Sequence, residues 1–122
     1  MKKLLLSSAL LLSSFSYADN MGGLLFHGNC VTCHYELEEK SAPAMAEVRR
    51  RYLIAFPQKE EFVKYLSEWV HKPSKEGSIM QDAIKKHGLM PHLAYEKDVL
   101  QEIAEYIYRT DFTKEHNGFS AH

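Results

Sequence analysis

Apolar residues along this 122-residue chain recur mostly at three- and four-residue steps, the repeat of one face of a helix. The segment 58–72 is the clearest case. Phe62, Tyr65, Leu66, Trp69 and Val70 share a stripe, while Lys59, Glu60, Glu61, Lys64 and Glu68 fall outside it. Glu60 and Lys64 add a favourable i,i+4 pair. The segment 96–109 is equally periodic, with Val99, Leu100, Ile103, Ala104, Tyr106 and Ile107 on one side and Glu96 or Asp98 in the first turn, where the helix dipole favours an acid. A shorter helix is predicted over 44–52, opened by Pro43, with Met45, Val48 and Tyr52 inward and Phe56-Pro57 as its break. Another is predicted over 79–87, carrying Ile79, Met80, Ala83 and Ile84 and stopped by Gly88. Gly22, Phe26 and Cys30 would share one face of a first helix, with Asp19 or Asn20 as its cap. A glycine inside a helix costs about 1 kcal/mol relative to alanine, so Gly22 is expected where another helix passes close by. The alternative is a loose Gly22-Gly23 linker. No alternation is strong enough to predict a sheet, and no repeat or low-complexity block is present. The fold class expected is all-α, with four to five short helices.

The first residues change this picture. Met1-Lys2-Lys3 is a short basic start, Leu4 to Phe15 is leucine- and serine-rich, and Ser16-Tyr17-Ala18 fits a small-residue cleavage site. Residues 1–18 therefore read as an export signal, with retention as an anchor the alternative. The apolar run is shorter than the roughly 20 residues of a membrane span, so no membrane insertion is expected after cleavage. The domain proper is then 19–110, followed by a polar tail, 111–122, whose His116 and His122 are not expected to be ligands. With Lys2 and Lys3 removed, 15 basic side chains become 13 against 16 acidic, a formal charge of −3. That balance offers no basic field for nucleic acid.

Chemistry enters at Cys30-Val31-Thr32-Cys33-His34, which has the C-x-x-C-H form of haem attachment. Thiols at this spacing can each bond one vinyl group on a single haem edge, and the following histidine can then reach the iron as an axial ligand. A zinc site would want a second Cys or His pair, and no other cysteine exists. A redox pair would need a βαβ context and gives no reason for His34. A disulfide remains open to two cysteines in an exported chain. The cofactor expected is one covalently bound haem c, whose apolar surface would supplement the modest core of so short a chain.

A second iron ligand is sought in Gly88-Leu89-Met90-Pro91-His92. Gly88 and Pro91 bracket Met90 on a loop, and a thioether is a soft ligand suited to haem iron. Met80 and His92 are alternatives, as is an open sixth position. Met45 and Met80 on helices read as core filler. His27 reads as a solvated helix residue and Tyr35 to Lys40 as a surface loop. Arg49-Arg50-Arg51 reads as a solvated face, or else a docking patch or partner for haem propionates.

Taken together these residues resemble class I cytochromes c, in particular the short bacterial monohaem type, over Gly22 to Arg109. The signature lies near the start of the mature chain and the methionine loop toward its end, as in that class. The resemblance implies a cytochrome c fold wrapped around one haem, with Gly22 and Phe26 packed against Tyr106. It implies that the Pro43 carbonyl accepts the Nδ1 proton of His34, and that Trp69 reaches a propionate. Ala42 and Tyr35 depart from the small residues or glycines common beside Pro43 and His34. The function implied is a periplasmic one-electron carrier, monomeric and not itself an enzyme, with Cys30, Cys33, His34 and Met90 as its haem residues. Its partners would be an electron donor and an electron acceptor of a respiratory chain. The rivals are a haem-based gas sensor or small haem enzyme with an open sixth site, and a haem subunit of a larger oxidoreductase.

Overall fold

The computed structural model describes residues 16–114, with side chains from Met21 onward. Most of the expected export signal, and His116 and His122, lie outside the described residues. Five helices follow in order: α1 (Ser16–Asn29), α2 (Met45–Ala55), α3 (Lys59–His71), α4 (Gln81–His87) and α5 (Lys97–Arg109). Among the described residues there is no strand, so the chain is all-α. No helix among them is long and apolar enough to cross a membrane.

The last helix is the hub. Leu100, Ile103, Ala104, Tyr106 and Ile107 are all buried along it, and it packs against both α1 and α3. Gly22 marks the crossing with α1. A Cβ there would lie 2.6 Å from the Glu102 carbonyl oxygen and 2.9 Å from Tyr106 Cβ, so the close pass expected at this glycine is what the packing requires. One turn on, Phe26 is fully buried, with its ring 5.3 Å from that of Tyr106 and 5.4 Å from that of Phe112. On the other side Phe62 is also fully buried, edge-on to Tyr108 of α5 and to Tyr52 of α2. Burying a side chain of this size contributes about 2–3 kcal/mol.

Helix bounds agree with the periodicity to within three residues for α2 to α5. The start of α1 differs, because Asp19 and Asn20 lie inside the helix and do not cap it. No proline interrupts 16–29, so nothing forces a break there. The tail also starts later than composition suggested. Thr110 and Phe112 are buried, because Phe112 closes over the Phe26–Tyr106 pair.

Nor is 35–40 wholly a surface loop. Glu36 is buried, and His27 is not a solvated helix residue, for its Nδ1 donates to the Gly23 carbonyl at 2.8 Å and its Nε2 lies 3.2 Å from Glu36 Oε1. The basic cluster is fully engaged. Arg49 donates to the Ile107 and Tyr108 carbonyls at the end of α5, Arg50 pairs with Glu47, and Arg51 pairs with Asp82 of α4.

Helix α4 stands apart. It has no buried residue, and its backbone comes close to none of the other four helices. A helix with an apolar face needs an apolar partner. That of α4 is a cavity.

Candidate functional site

Once α1 ends, the chain keeps turning. The Cys30 amide donates to the Phe26 carbonyl at 2.8 Å and the His34 amide to the Cys30 carbonyl at 2.9 Å. These turns bring Cys30, Cys33 and His34 to one wall of the same cavity. The loop that follows returns to the start of α2. Met45 N–H donates to the Tyr35 carbonyl at 2.8 Å and Ala46 N–H to the Glu36 carbonyl at 2.9 Å, so the loop satisfies two orphan donors of the helix. This anchoring fixes Pro43, whose carbonyl oxygen lies 2.8 Å from His34 Nδ1. A carbonyl can only accept, so the proton sits on Nδ1 and leaves Nε2 with a lone pair. Burial pushes the His34 imidazole below its ordinary titration range, against the opposing Pro43 bond. Neutral at pH 7 and held in one tautomer, it has the form of a metal ligand.

The cavity has a volume of about 280 Å³ and an almost wholly apolar wall contributed by α2, α3, α4, α5 and the loops between them. A second hollow of about 560 Å³ lies between α2 and Phe112, but it brings no thiol, thioether or imidazole together. Chemistry, not volume, picks out the first.

Cys30 is half-buried and Cys33 exposed, and both are free thiols. Burial, and next the nearby Cys33, push the Cys30 thiol up to about 12. Thiol–disulfide catalysts do the reverse, lowering a cysteine's pKa at a helix N-terminus. Here Cys30 follows the C-terminal end of α1, where the dipole opposes a thiolate. The redox-pair alternative is therefore poorly served. Among the described residues no group of three or more His, Cys, Asp or Glu side chains is arranged to hold a bare metal ion.

Met90 is half-buried on the cavity wall, on the segment after α4. Met80 is also on the wall but only 7 % exposed and packed into the core. His92 is exposed and does not line the cavity. The loop carrying Met90 is tied down beyond it, where Tyr95 donates from its hydroxyl to Asn29 Oδ1 at 2.6 Å, directly before Cys30. Trp69 lines the cavity, but its indole N–H is taken by the Ser74 carbonyl at 3.0 Å and is not free for a propionate. Two wall residues were not singled out from sequence for this role: His87, and Tyr95 as a clamp. His87 follows Ala83 and Ile84 at steps of four and three, so the apolar face of that helix already pointed to it.

Comparison with known proteins adds little beyond a relative. No family model matches the chain, and no solved structure matches it. The chain is similar to an uncharacterized protein of Aquifex aeolicus, 29 % identical over an alignment 132 positions long that covers 88 % of this chain and 87 % of the relative. The pattern of donors therefore has to be judged on its own chemistry. Two thiols in C-x-x-C-H sequence spacing, an imidazole with Nδ1 committed and Nε2 left with its lone pair, and a thioether lining the same apolar cavity fit a covalently held haem.

Proposed function

We propose that this chain is an exported monohaem c-type cytochrome that carries single electrons between a donor and an acceptor protein. The observation that carries this reading is the convergence of Cys30, Cys33, His34 and Met90 on one apolar cavity, with His34 Nδ1 committed to the Pro43 carbonyl. Cys30 and Cys33 would hold the haem as thioethers, His34 would be its proximal ligand through Nε2, and Met90 its distal one. The group would supply a Fe(III)/Fe(II) couple, whose potential a methionine ligand raises.

The chain's own residues do the rest. The Pro43 carbonyl orients His34 and raises its basicity. The apolar faces of α3, α4 and α5 exclude water from the site, which keeps its polarity constant between oxidation states. The bonds that anchor 35–44 to α2 hold the His34 segment still, and the Tyr95–Asn29 bond ties the far end of the segment that carries Met90. Leu89 and Leu93, 40 % and 37 % exposed beside Met90, form an apolar rim at which partners could approach. Small, weak contacts of this kind suit partners that must separate quickly. The protein acts as a carrier and not as a catalyst, working in the periplasm after loss of residues 1–18.

The test is the optical spectrum of protein exported in a host able to attach haem c. Expected is a covalently bound haem that stays with the denatured polypeptide, low-spin in both oxidation states, with the weak far-red band of methionine-ligated ferric haem. A high-spin ferric form whose reduced state binds CO readily would overturn the carrier reading in favour of an open sixth site. Absence of attached haem would overturn it altogether.

A further inference from the structure

His87 is a cavity residue that the carrier function leaves without a task. It ends α4 on the face that carries Ala83 and Ile84, and all three line the cavity. Its side chain is only 11 % exposed, although the neighbouring Lys86 is 63 % exposed. Its Nε2 donates to Glu39 Oε1 at 2.7 Å, and Lys86 Nζ donates to Glu39 Oε2 at 2.9 Å. A single carboxylate on the loop leaving His34 thus grips two consecutive residues of α4.

We propose that His87 is a second, nitrogen ligand for the iron, kept in reserve on the cavity wall by its hydrogen bond to Glu39. The proposal rests on the haem reading above. Gly88, with φ +82°, is the joint between α4 and the segment carrying Met90. At such a position the chain can turn without strain, so Met90 can withdraw while α4 stays folded. In such an exchange a lone pair of the neutral His87 ring would take the place of the Met90 sulfur. Iron keeps its oxidation state and no electron moves. The ring proton now donated to Glu39 stays on the ring, on whichever nitrogen does not bind, so no acid or base is consumed. Replacing a thioether by an imidazole lowers the reduction potential. Release of Glu39, which is 45 % exposed, would therefore convert a high-potential carrier into a low-potential one.

The test compares the ferric holoprotein with Glu39→Ala and with Glu39→Ala/His87→Ala. Glu39→Gln, which keeps the side chain's shape, is run in parallel in case the alanine variant accumulates poorly. Expected for Glu39→Ala is loss of most of the far-red methionine band, with the haem still low-spin and an electron paramagnetic resonance signal of two-imidazole type. The potential falls with it, and Glu39→Gln gives the same changes at smaller amplitude. In the double variant the methionine band returns. The proposal is overturned if both Glu39 variants keep the full band and the wild-type resonance signal. It is equally overturned if the double variant retains the new low-spin signal, since another group is then the ligand. Failure of the underlying haem reading is visible separately, in the wild-type spectrum.

Discussion

Replacing Gly22 by alanine tests the packing on which the site rests. The new Cβ would stand 2.6 Å from the Glu102 carbonyl oxygen, where ordinary contact begins at 3.4 Å, so α1 and α5 must part by roughly 0.8 Å. The obstructing atom belongs to a helix backbone and cannot swing aside as a flexible side chain would. Overpacking of this sort costs about 1–3 kcal/mol, and an unyielding neighbour argues for the upper end. Alanine's better helix propensity returns about 1 kcal/mol. The expected balance is a loss of about 2 kcal/mol, or roughly 10 °C in Tm for a domain of this size. Gly28, also in α1, is the internal control. It is exposed, and a Cβ there meets nothing within 4 Å. Gly28→Ala should therefore raise stability, by up to about 1 kcal/mol. Urea unfolding of each holoprotein followed by far-ultraviolet circular dichroism gives both values. If Gly22→Ala is as stable as the wild type, or gains like Gly28→Ala, the close crossing is not what constrains this position.

Four further perturbations separate the roles assigned to other residues. Met90→Ala should abolish the far-red band and lower the potential while leaving the fold nearly as stable. Met80→Ala should keep the band but lose about 2–5 kcal/mol of stability from a buried site, and the opposite pair of results would transfer the ligand to Met80. Arg49→Ala removes donors to the Ile107 and Tyr108 carbonyls, and hydrogen bonds from a charged group are worth about 1.5–3 kcal/mol each. A drop of at least about 1.5 kcal/mol in urea unfolding is expected, and no change would mean that water caps α5 equally well. In the haem-free folded chain, Cys33 is exposed while burial pushes the Cys30 thiol up to about 12. Iodoacetamide at pH 8 should therefore label Cys33 well before Cys30, with Cys30 catching up only in denaturant or in strong base. Equal rates in the folded chain would refute the burial of Cys30.

Helical periodicity made most of this fold legible. The stripes of α3 and α5 name nearly every buried residue of those helices, because each lies against a continuous apolar surface. Gly22 was readable for a related reason: a residue that weakens a helix is tolerated there only if a close approach needs it. What escaped the sequence depended on distant partners. Phe112 sits in a polar-looking tail, and its burial depends on the Phe26–Tyr106 pair being there to cover. Arg49 looks like its two neighbours in a basic run, and only the end of α5 distinguishes it. The bond from His34 to Pro43 was anticipated through resemblance to class I cytochromes c, and the geometry agrees. Trp69 was expected on the same ground to reach a haem propionate, but its indole N–H is taken by the Ser74 carbonyl five residues on. His87 shares the helical face of Ala83 and Ile84, but its polarity drew no attention to it. A histidine at a helix end reads as solvated until the cavity beside it is known.

The crossing of α1 and α5 also dictates an order of events. It joins residues some eighty positions apart, and Phe112 closes over it last in sequence. Until the final helix has emerged, α1 lacks the helix it packs against, and the thiols that follow it are more open. Afterwards Cys30 is half-buried, and burial makes its thiol a sluggish nucleophile. On the function proposed above, haem attachment would precede closure, with the C-terminal helix acting as the lock. A chain truncated after Tyr95 should still acquire covalent haem yet fail to hold a compact fold, and a truncated chain that stayed bare would show that the lock is also the template.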